Sequence, residues 1–176
     1  PDIFHIVSSM LDKYKLSPSR LILEVTESTA LKNLDRSIEL LNAFNHAGIT
    51  VSIDDFGTGY SNLLMLSVLP AKELKIDKSF VSSMLGNEKS RKLVETIINI
   101  ARTMEMTVVA EGIETDEQQA ILTSLGCDYL QGYLFSRPLP AEQVPWLLLQ
   151  KNSDKQIIPI SKIQTDPEFI SQKNHA

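Results

Sequence analysis

The sequence predicts an α/β fold in which helices cover a parallel sheet, and two observations support that prediction. Five short apolar segments of strand length alternate with longer segments whose apolar residues recur at helical spacing. The strand segments are almost continuously apolar, as strands are when helices cover a parallel sheet. With 176 residues and 43% apolar content, the chain is long enough to bury one ordinary core.

The first half of the chain is predicted to run helix, strand, helix, strand. Residues 3–14 have apolar side chains at helical spacing, and residues 21–25 form a strand-length apolar run. Residues 29–47 are predicted to be helical, because the pattern continues until Gly48, a residue that commonly follows a helix. Residues 50–53 are then predicted to be the second strand.

The second half continues the alternation. Its predicted strands are residues 73–76, 107–110 and 128–131, and its predicted helices are residues 89–104, 115–125 and 141–149. Thr115 and Gln118 have capping-box spacing, which marks the start of the middle helix. We expect one domain over residues 1–150. Residues 151–176 turn polar without sustained periodicity, which predicts a loosely ordered tail.

Composition excludes several classes of protein. The net charge of −5, from 22 acidic and 17 basic residues, argues against binding of DNA by charge. No apolar run approaches the roughly 18 residues that a membrane span requires, and the N-terminus has no secretory pattern. Cys127 is the single cysteine, so we expect a buried thiol and a cytoplasmic chain. A membrane anchor upstream in a longer parent protein remains compatible with this expectation.

A polar or charged residue interrupts each of the five apolar runs at or near its C-terminal end. These residues are Glu24, Asp54, Lys75, Glu111 and Gln131. Parallel strands share a direction, so we expect the five side chains to gather at one edge of the sheet. In α/β barrels that edge carries the active site. The alternative is that they are ordinary solvated strand ends.

The acidic residues among them predict a metal site. Glu24, Asp54, Asp55 and Glu111 would repel one another without a cation. Oxygen ligands without nearby His or Cys favour Mg²⁺ or Mn²⁺, and they admit Ca²⁺. The adjacent acids Asp54 and Asp55 suit two ions that clamp a phosphoryl displacement.

Three further features of the sequence bear on this site. The loop that starts with Phe56, Gly57, Thr58 and Gly59 has the glycines of a lid that closes over a substrate. Alternation places Lys75 on the inward face, where it could orient water or pair with a carboxylate. Glu114 lies three residues beyond Glu111 and could reach back to the site or cap the next helix.

Five segments match the motifs of a bacterial domain family in order. They are Glu24-Val25-Thr26-Glu27, residues 54–61, Lys75-Ile76-Asp77, residues 111–114 and Gln131-Gly132-Tyr133. Residues 3–149 therefore resemble the C-terminal part of an EAL domain. The resemblance implies a TIM-like barrel with one irregular antiparallel strand, and hydrolysis of cyclic-di-GMP to linear pGpG. It implies Mg²⁺ or Mn²⁺ as cofactor, as two ions, with Ca²⁺ inhibitory.

The resemblance also implies roles for individual residues. Glu24 and Asp54 match ligands of the first metal, Asp55 serves the second, Glu111 is a catalytic acid at the metal centre, and Lys75 positions the water. Around them, Glu27 anchors the glycine loop, while Glu114 and Gln131 are further polar residues of the site. A homodimer and an N-terminal sensor or GGDEF-type module in the parent protein are implied as partners.

The chain departs from the family pattern at its start. It contains neither Glu-Ala-Leu nor the Asn-Leu-Ser segment, both of which would supply metal ligands. A complete barrel of this type needs roughly 250 residues, so about five of eight strands are expected here. We expect such a piece to leave one sheet edge exposed.

Three functions are compatible with these observations. The first is an active phosphodiesterase, which the motif acids favour. The second is a catalytically inactive module that binds cyclic-di-GMP or a protein partner, because the N-terminal ligands are absent from the chain. The third, independent of the resemblance, is an enolase-like lyase with a lysine base and Mg²⁺. The adjacent acids and the glycine loop fit phosphoryl transfer better than lyase chemistry.

Overall fold

A computed structural model describes residues 2–57 and 63–151 of the chain. The strands are β1 (Ile22–Thr26), β2 (Thr50–Phe56), β3 (Glu73–Ile76), β4 (Thr107–Glu111) and β5 (Tyr129–Gln131). They form one sheet in sequence order, and every neighbouring pair is parallel. The predicted α/β fold and its five parallel strands are therefore confirmed.

Eight α-helices accompany the strands in the described residues. They are α1 (Ile3–Tyr14), α2 (Glu27–Leu31), α3 (Leu34–His46), α4 (Leu63–Val68), α5 (Lys78–Ser83), α6 (Glu88–Thr103), α7 (Asp116–Ser124) and α8 (Val144–Lys151). Short 3₁₀ turns cover Pro18–Arg20 and Ala141–Gln143. Among these elements, no helix combines the length and the apolarity needed to cross a bilayer.

The predicted helices α1, α6 and α7 are confirmed, and α7 begins with the predicted capping box. The Thr115 side chain accepts a hydrogen bond from the backbone N–H of Gln118, and Gln118 Oε1 accepts one from the Thr115 N–H. This exchange satisfies two backbone donors that the first helical turn leaves without partners. It fixes where the chain turns after β4.

The predicted single helix over residues 29–47 is wrong. The chain forms two helices there, because Asn33 leaves the helical conformation with φ −151° and caps the second one. Its side chain accepts a hydrogen bond from the Arg36 N–H. Asn is among the best N-cap residues, and here capping outweighs helix continuity. The helices α4 and α5 were not predicted from the sequence.

The core lies on the helix-covered face of the sheet. Alternate residues of the central strands point to this face and are at most 1% exposed: Val51, Ile53, Leu74, Ile76, Val108 and Ala110. Burial of each large aliphatic side chain contributes about 1.5–3 kcal/mol, so this layer is the main source of stability. The opposite face presents the polar residues of the same strands, because successive side chains alternate.

The strand β2 runs past its predicted end at Ile53 and is irregular where it does so. Its register with β3 shifts between Ile53 and Phe56, and Asp55 has a left-handed φ of +55°. Such a bulge bends a strand and redirects its side chains. The regular alternation of side chains is therefore interrupted at Asp55.

The strand β1 has one neighbour, β2, and so forms an edge of the described sheet. Helix α1, which packs against α3, carries exposed apolar residues at helical spacing, with Ile3, Ile6, Met10 and Tyr14 between 42% and 63% exposed. Ile22 on β1 is also exposed. Strand β1 therefore has the exposed sheet edge that was expected from the sequence.

The chain divides into two compact units, Pro1–Gln131 and Gly132–Ala176. In the second unit, the Arg137 guanidinium lies 5.0 Å from the centre of the Tyr133 ring. The predicted helix over residues 141–149 is present as a 3₁₀ turn followed by α8, with Pro145 in the first turn, where proline is tolerated. Residues 152–176, most of the predicted tail, lie outside the described residues.

Candidate active site

Lys75 lies at the centre of a charged cluster on the polar face of the sheet. Its ammonium contacts Glu24 Oε1 at 2.8 Å, Asp54 Oδ1 at 3.2 Å and Glu111 Oε1 at 2.7 Å. Only 6% of the Lys75 side chain is exposed, whereas Asp54 and Glu111 are each 22% exposed and Glu24 is 50% exposed. Four of the five predicted strand-end residues are thus in contact.

Strand register explains how residues so distant in sequence meet. Lys75 stands opposite Val109 in β4, and Glu111 lies two residues further on and points to the same face. Glu24 in β1 pairs with Ser52 in β2, two residues before Asp54. The side chains therefore approach Lys75 from both sides of β3. Glu24 reaches across β2, since β1 and β3 are not neighbours.

The carboxylates keep Lys75 protonated. Burial alone lowers the pKa of the Lys75 ammonium, but hydrogen bonds to Glu111, Glu24 and Asp54 outweigh it. The charge of Glu111 adds to their effect, and the pKa rises above its ordinary value of 10.5. At neutral pH this lysine is a cation and a hydrogen-bond donor. A lysine base, as the lyase hypothesis requires, does not fit this environment.

The donor atoms around Lys75 fit a hard divalent cation. Three carboxylates already converge on one positive charge, and oxygen is the ligand that Mg²⁺ and Mn²⁺ prefer. As they stand, however, no three His, Cys, Asp or Glu side chains in the described residues are arranged to hold a metal. Their oxygens point to the ammonium instead. The carboxylate oxygens are therefore suitable ligands for a divalent cation, but in this structure they surround the Lys75 ammonium.

The remaining predicted polar residues lie around this cluster. Asp55 follows Asp54 at the bulge, and its N–H donates to Asp54 Oδ1 at 3.0 Å. Gln131 ends β5 opposite Glu111, so it lies at the same edge of the sheet. Glu114 is exposed, and its backbone N–H donates to Gln118 Oε1 at 2.7 Å. Thr115, not Glu114, is the N-cap of α7.

The start of the predicted lid loop is held from two directions. The Gly57 N–H donates to Glu27 Oε2 at 3.2 Å, and Glu27 is only 3% exposed. Gly57 has φ +91°, and a Cβ there would lie 2.9 Å from two atoms of the Phe80 ring. Only glycine suits both conditions. Phe56 is buried, while Thr58 and Gly59 lie outside the described residues.

The sequence analysis assigned no role to two residues that support the site. Phe80, on α5, contributes the ring that packs against Gly57. Asp77 caps the same helix by accepting a hydrogen bond from the Ser79 N–H at 2.9 Å. The capping signal was present as Asp77-Lys78-Ser79, two residues after Lys75. The position of Phe80 required the tertiary structure.

Residues 1–138 match the sequence profile of the EAL domain. The chain belongs to the EAL domain family. It is 49% identical over 138 residues to the bifunctional diguanylate cyclase/cyclic di-GMP phosphodiesterase MucR of Pseudomonas aeruginosa. The aligned region covers 78% of the chain and 20% of MucR. The chain spans about a fifth of the length of the curated relatives it matches.

Solved structures of EAL proteins share the fold. The MucR phosphodiesterase in complex with cyclic-di-GMP superposes with a TM-score of 0.75, at 49% identity, over 78% of the chain and 56% of that structure. The EAL domain of Mycobacterium smegmatis DcpA has a TM-score of 0.79 at 34% identity, over 84% of the chain and 66% of that structure. The five strands are therefore part of a TIM-like barrel, as expected.

A third similar structure is a complex with metal ions. Klebsiella pneumoniae BlrP1, in a complex with manganese and cyclic-di-GMP, has a TM-score of 0.73 at 34% identity, over 78% of the chain and 35% of BlrP1. The same protein also has a complex with calcium and cyclic-di-GMP. BlrP1 thus binds divalent cations together with the dinucleotide.

Proposed function

We propose that the EAL domain to which this chain belongs hydrolyses cyclic-di-GMP to linear pGpG, with Mg²⁺ or Mn²⁺ as cofactor. The observation that carries the proposal is the convergence of Glu24, Asp54 and Glu111 on the Lys75 ammonium at the carboxyl edge of a parallel sheet. The similarity to MucR, whose name and structure both specify this dinucleotide, supports the choice of substrate.

The acidic residues are the proposed metal ligands. Glu24, Asp54, Asp55 and Glu111 would hold two ions. When bound, the ions supply positive charge to the phosphate and acidity to the attacking water. The adjacent pair Asp54 and Asp55 suits two ions, since the bulge at Asp55 frees the two side chains from strand alternation.

Lys75 is the proposed donor at the reacting phosphate. It is protonated, and strand β3 holds it at a buried position inside the cluster. A preorganised donor of this kind orients a water molecule or stabilises charge that develops on phosphate oxygens.

The Glu27–Gly57 hydrogen bond is proposed to position the glycine loop. The contact joins the first residue of α2 to the residue that follows β2. Because Asp54 and Asp55 immediately precede this loop, its anchoring also limits how far the two acids can move. Loss of the contact would loosen the acids and the loop together. We therefore expect Glu27 to affect turnover without contacting the substrate.

Incubation of the 176-residue chain with cyclic-di-GMP and Mn²⁺, followed by chromatography, tests the proposal. Appearance of pGpG that EDTA suppresses would support phosphodiesterase activity and show that the chain assembles a working site. Binding of cyclic-di-GMP without product would support the alternative of a binding module for the chain. A longer version of the protein, assayed in parallel, serves as the reference: absence of product from both would contradict the proposal.

The wider setting of the domain is also a proposal. The curated relatives are much longer than the match, so we expect a sensor or GGDEF-type module in the parent protein, and a homodimer. We place the domain itself in the cytoplasm, where a second messenger would reach it. We expect residues 1–150 to belong to the domain.

A further inference from the structure

The charge balance around Lys75 is uneven. Three carboxylates contact one ammonium, and they come from β1, β2 and β4, while Lys75 itself is on β3. The other ion pair between described residues, Lys92 with Glu88, lies on the exposed surface of α6. Within the described part of the chain, the Lys75 ammonium is therefore the cation that holds these three acids together.

The same three carboxylates are the proposed metal ligands, so the ammonium and a metal would compete for them. Each oxygen that contacts Lys75 Nζ at 2.7–3.2 Å is directed toward nitrogen. This explains why no group of three acids among the described residues is arranged for a metal. To coordinate an ion, at least some of these oxygens must turn from Lys75.

We propose that the Lys75 ammonium substitutes for the divalent cation when the site is empty, holding Glu24, Asp54 and Glu111 close together until a metal displaces it. The inference rests on the proposed function for the identity of the metal ligands. Lys75 then has two effects of opposite sign. It stabilises the metal-free chain, and it weakens metal binding. In the loaded site its N–H groups are released toward water and phosphate.

The variant Lys75→Met tests this inference, because it keeps an unbranched side chain of similar length and removes the charge. Lys92→Met is the matched control, since its partner Glu88 is exposed. Thermal unfolding of the 176-residue chain is measured for both variants and the unmodified protein, in EDTA and in saturating MnCl₂. In EDTA, we expect Lys75→Met to lower the melting temperature by roughly 5 °C and Lys92→Met to leave it nearly unchanged.

In MnCl₂, the loss caused by Lys75→Met should shrink or disappear, because the ion replaces the missing charge. Calorimetric titration with Mn²⁺ should show binding to Lys75→Met that is on the order of tenfold tighter than to the unmodified chain. An equal loss of melting temperature in EDTA and in MnCl₂, with unchanged Mn²⁺ affinity, would overturn the inference. It would mean that Lys75 contributes packing rather than a substitute charge.

A variant that fails to fold in EDTA still gives a result. Recovery of the folded state on addition of Mn²⁺ supports the inference, and failure in both buffers is resolved by adding Glu111→Gln to Lys75→Met. Removal of one negative charge should then restore folding in EDTA, and continued failure would contradict the inference. These measurements use no dinucleotide. They can therefore succeed even if the chain lacks phosphodiesterase activity, which separates this inference from the proposed function.

Discussion

The two faces of the same sheet have opposite compositions. The face under the helices carries aliphatic residues such as Ile53, Leu74 and Ile76, all fully buried. The other face carries Ser52, Asp54 and Lys75 at alternating positions. Burial of the first face costs no hydrogen bonds to water, because its side chains are aliphatic. The second face keeps charged side chains at partly buried positions. Their desolvation costs free energy unless each charge has a partner of opposite sign.

This difference separates stability from chemistry along single strands. Leu74 and Lys75 are neighbours in sequence, yet one belongs to the core and the other to the charged cluster. A substitution on the helix-covered face should therefore change stability under all conditions. A substitution on the polar face should act through charge, and its effect should depend on metal or on pH.

The largest expected effect on folding comes from the helix-covered face. Leu74→Ala removes a fully buried side chain and should lower the free energy of unfolding by about 2–5 kcal/mol. The loss should be the same in EDTA and in MnCl₂, in contrast to Lys75→Met. Chemical denaturation in both buffers checks this. A metal-dependent loss for Leu74→Ala would show that the two faces are not independent.

An intermediate effect is expected at the start of the glycine loop. Gly57→Ala places a Cβ 2.9 Å from the Phe80 ring at a left-handed φ of +91°. Gly86→Ala is the control, because Gly86 has φ +76° and no atom within 4 Å of the added Cβ. We expect about 1–2 kcal/mol of destabilisation for Gly86→Ala and about 1–3 kcal/mol more for Gly57→Ala. Similar losses for both would mean that the Phe80 contact relaxes freely.

A smaller effect is expected at the cap of α5. Asp77→Ala should cost about 1 kcal/mol of stability, whereas Asp77→Asn keeps a capping side chain and should cost less. Burial raises the pKa of Asp77, but hydrogen bonds from Ser79 and from the Lys78 N–H, with the Lys78 charge, outweigh it and lower the pKa below 3.8.

The pH dependence of this cap follows from the sign of the shift. A lowered folded-state pKa means that the carboxylate contributes stability above pH 3.8, and that the contribution is lost as pH falls below this value. The stability difference between the unmodified chain and Asp77→Asn should therefore be full at neutral pH and shrink toward about pH 3. Denaturation curves at both pH values check this. A difference that grows on acidification would contradict the assigned shift.

The smallest expected effect concerns Cys127. Burial raises the pKa of its thiol to about 11 from 9.0, despite opposing backbone hydrogen bonds, the largest of them from Tyr129. The thiolate is the reactive form, so alkylation near pH 8 should be roughly 100-fold slower than for an unperturbed cysteine. Mass spectrometry of iodoacetamide-treated chain, native and in urea, measures this. Equal rates in the two states would show that the thiol is not protected.

The sequence was sufficient to predict the sheet and the residues that share its polar edge. Period-two alternation in Leu74-Lys75-Ile76 predicted that Lys75 faces inward, and parallel strands required Glu24, Asp54 and Glu111 to end on the same side. Such predictions succeed because they depend on local periodicity and on one global rule, the shared direction of parallel strands.

Other features depended on tertiary structure. The helix predicted over residues 29–47 is interrupted because the Asn33 side chain caps α3. The apolar pattern alone favoured one continuous helix. The bulge at Asp55 arises where β2 pairs with β3, so no local signal specified it. The convergence of three carboxylates on Lys75 depends on the stagger of four strands. Periodicity predicts that such residues share an edge, but it does not predict their contacts.

Turnover of cyclic-di-GMP by the full-length parent protein with Glu111→Ala tests the central claim most directly. Glu88→Ala, an exposed acid on α6, serves as the control. We expect the Glu111 variant to keep its fold, as judged by its far-UV circular dichroism and melting curve, and to lose pGpG formation by on the order of 10³-fold or more. Glu88→Ala should retain turnover. Undiminished pGpG formation by Glu111→Ala would contradict the assignment of the charged cluster as the active site.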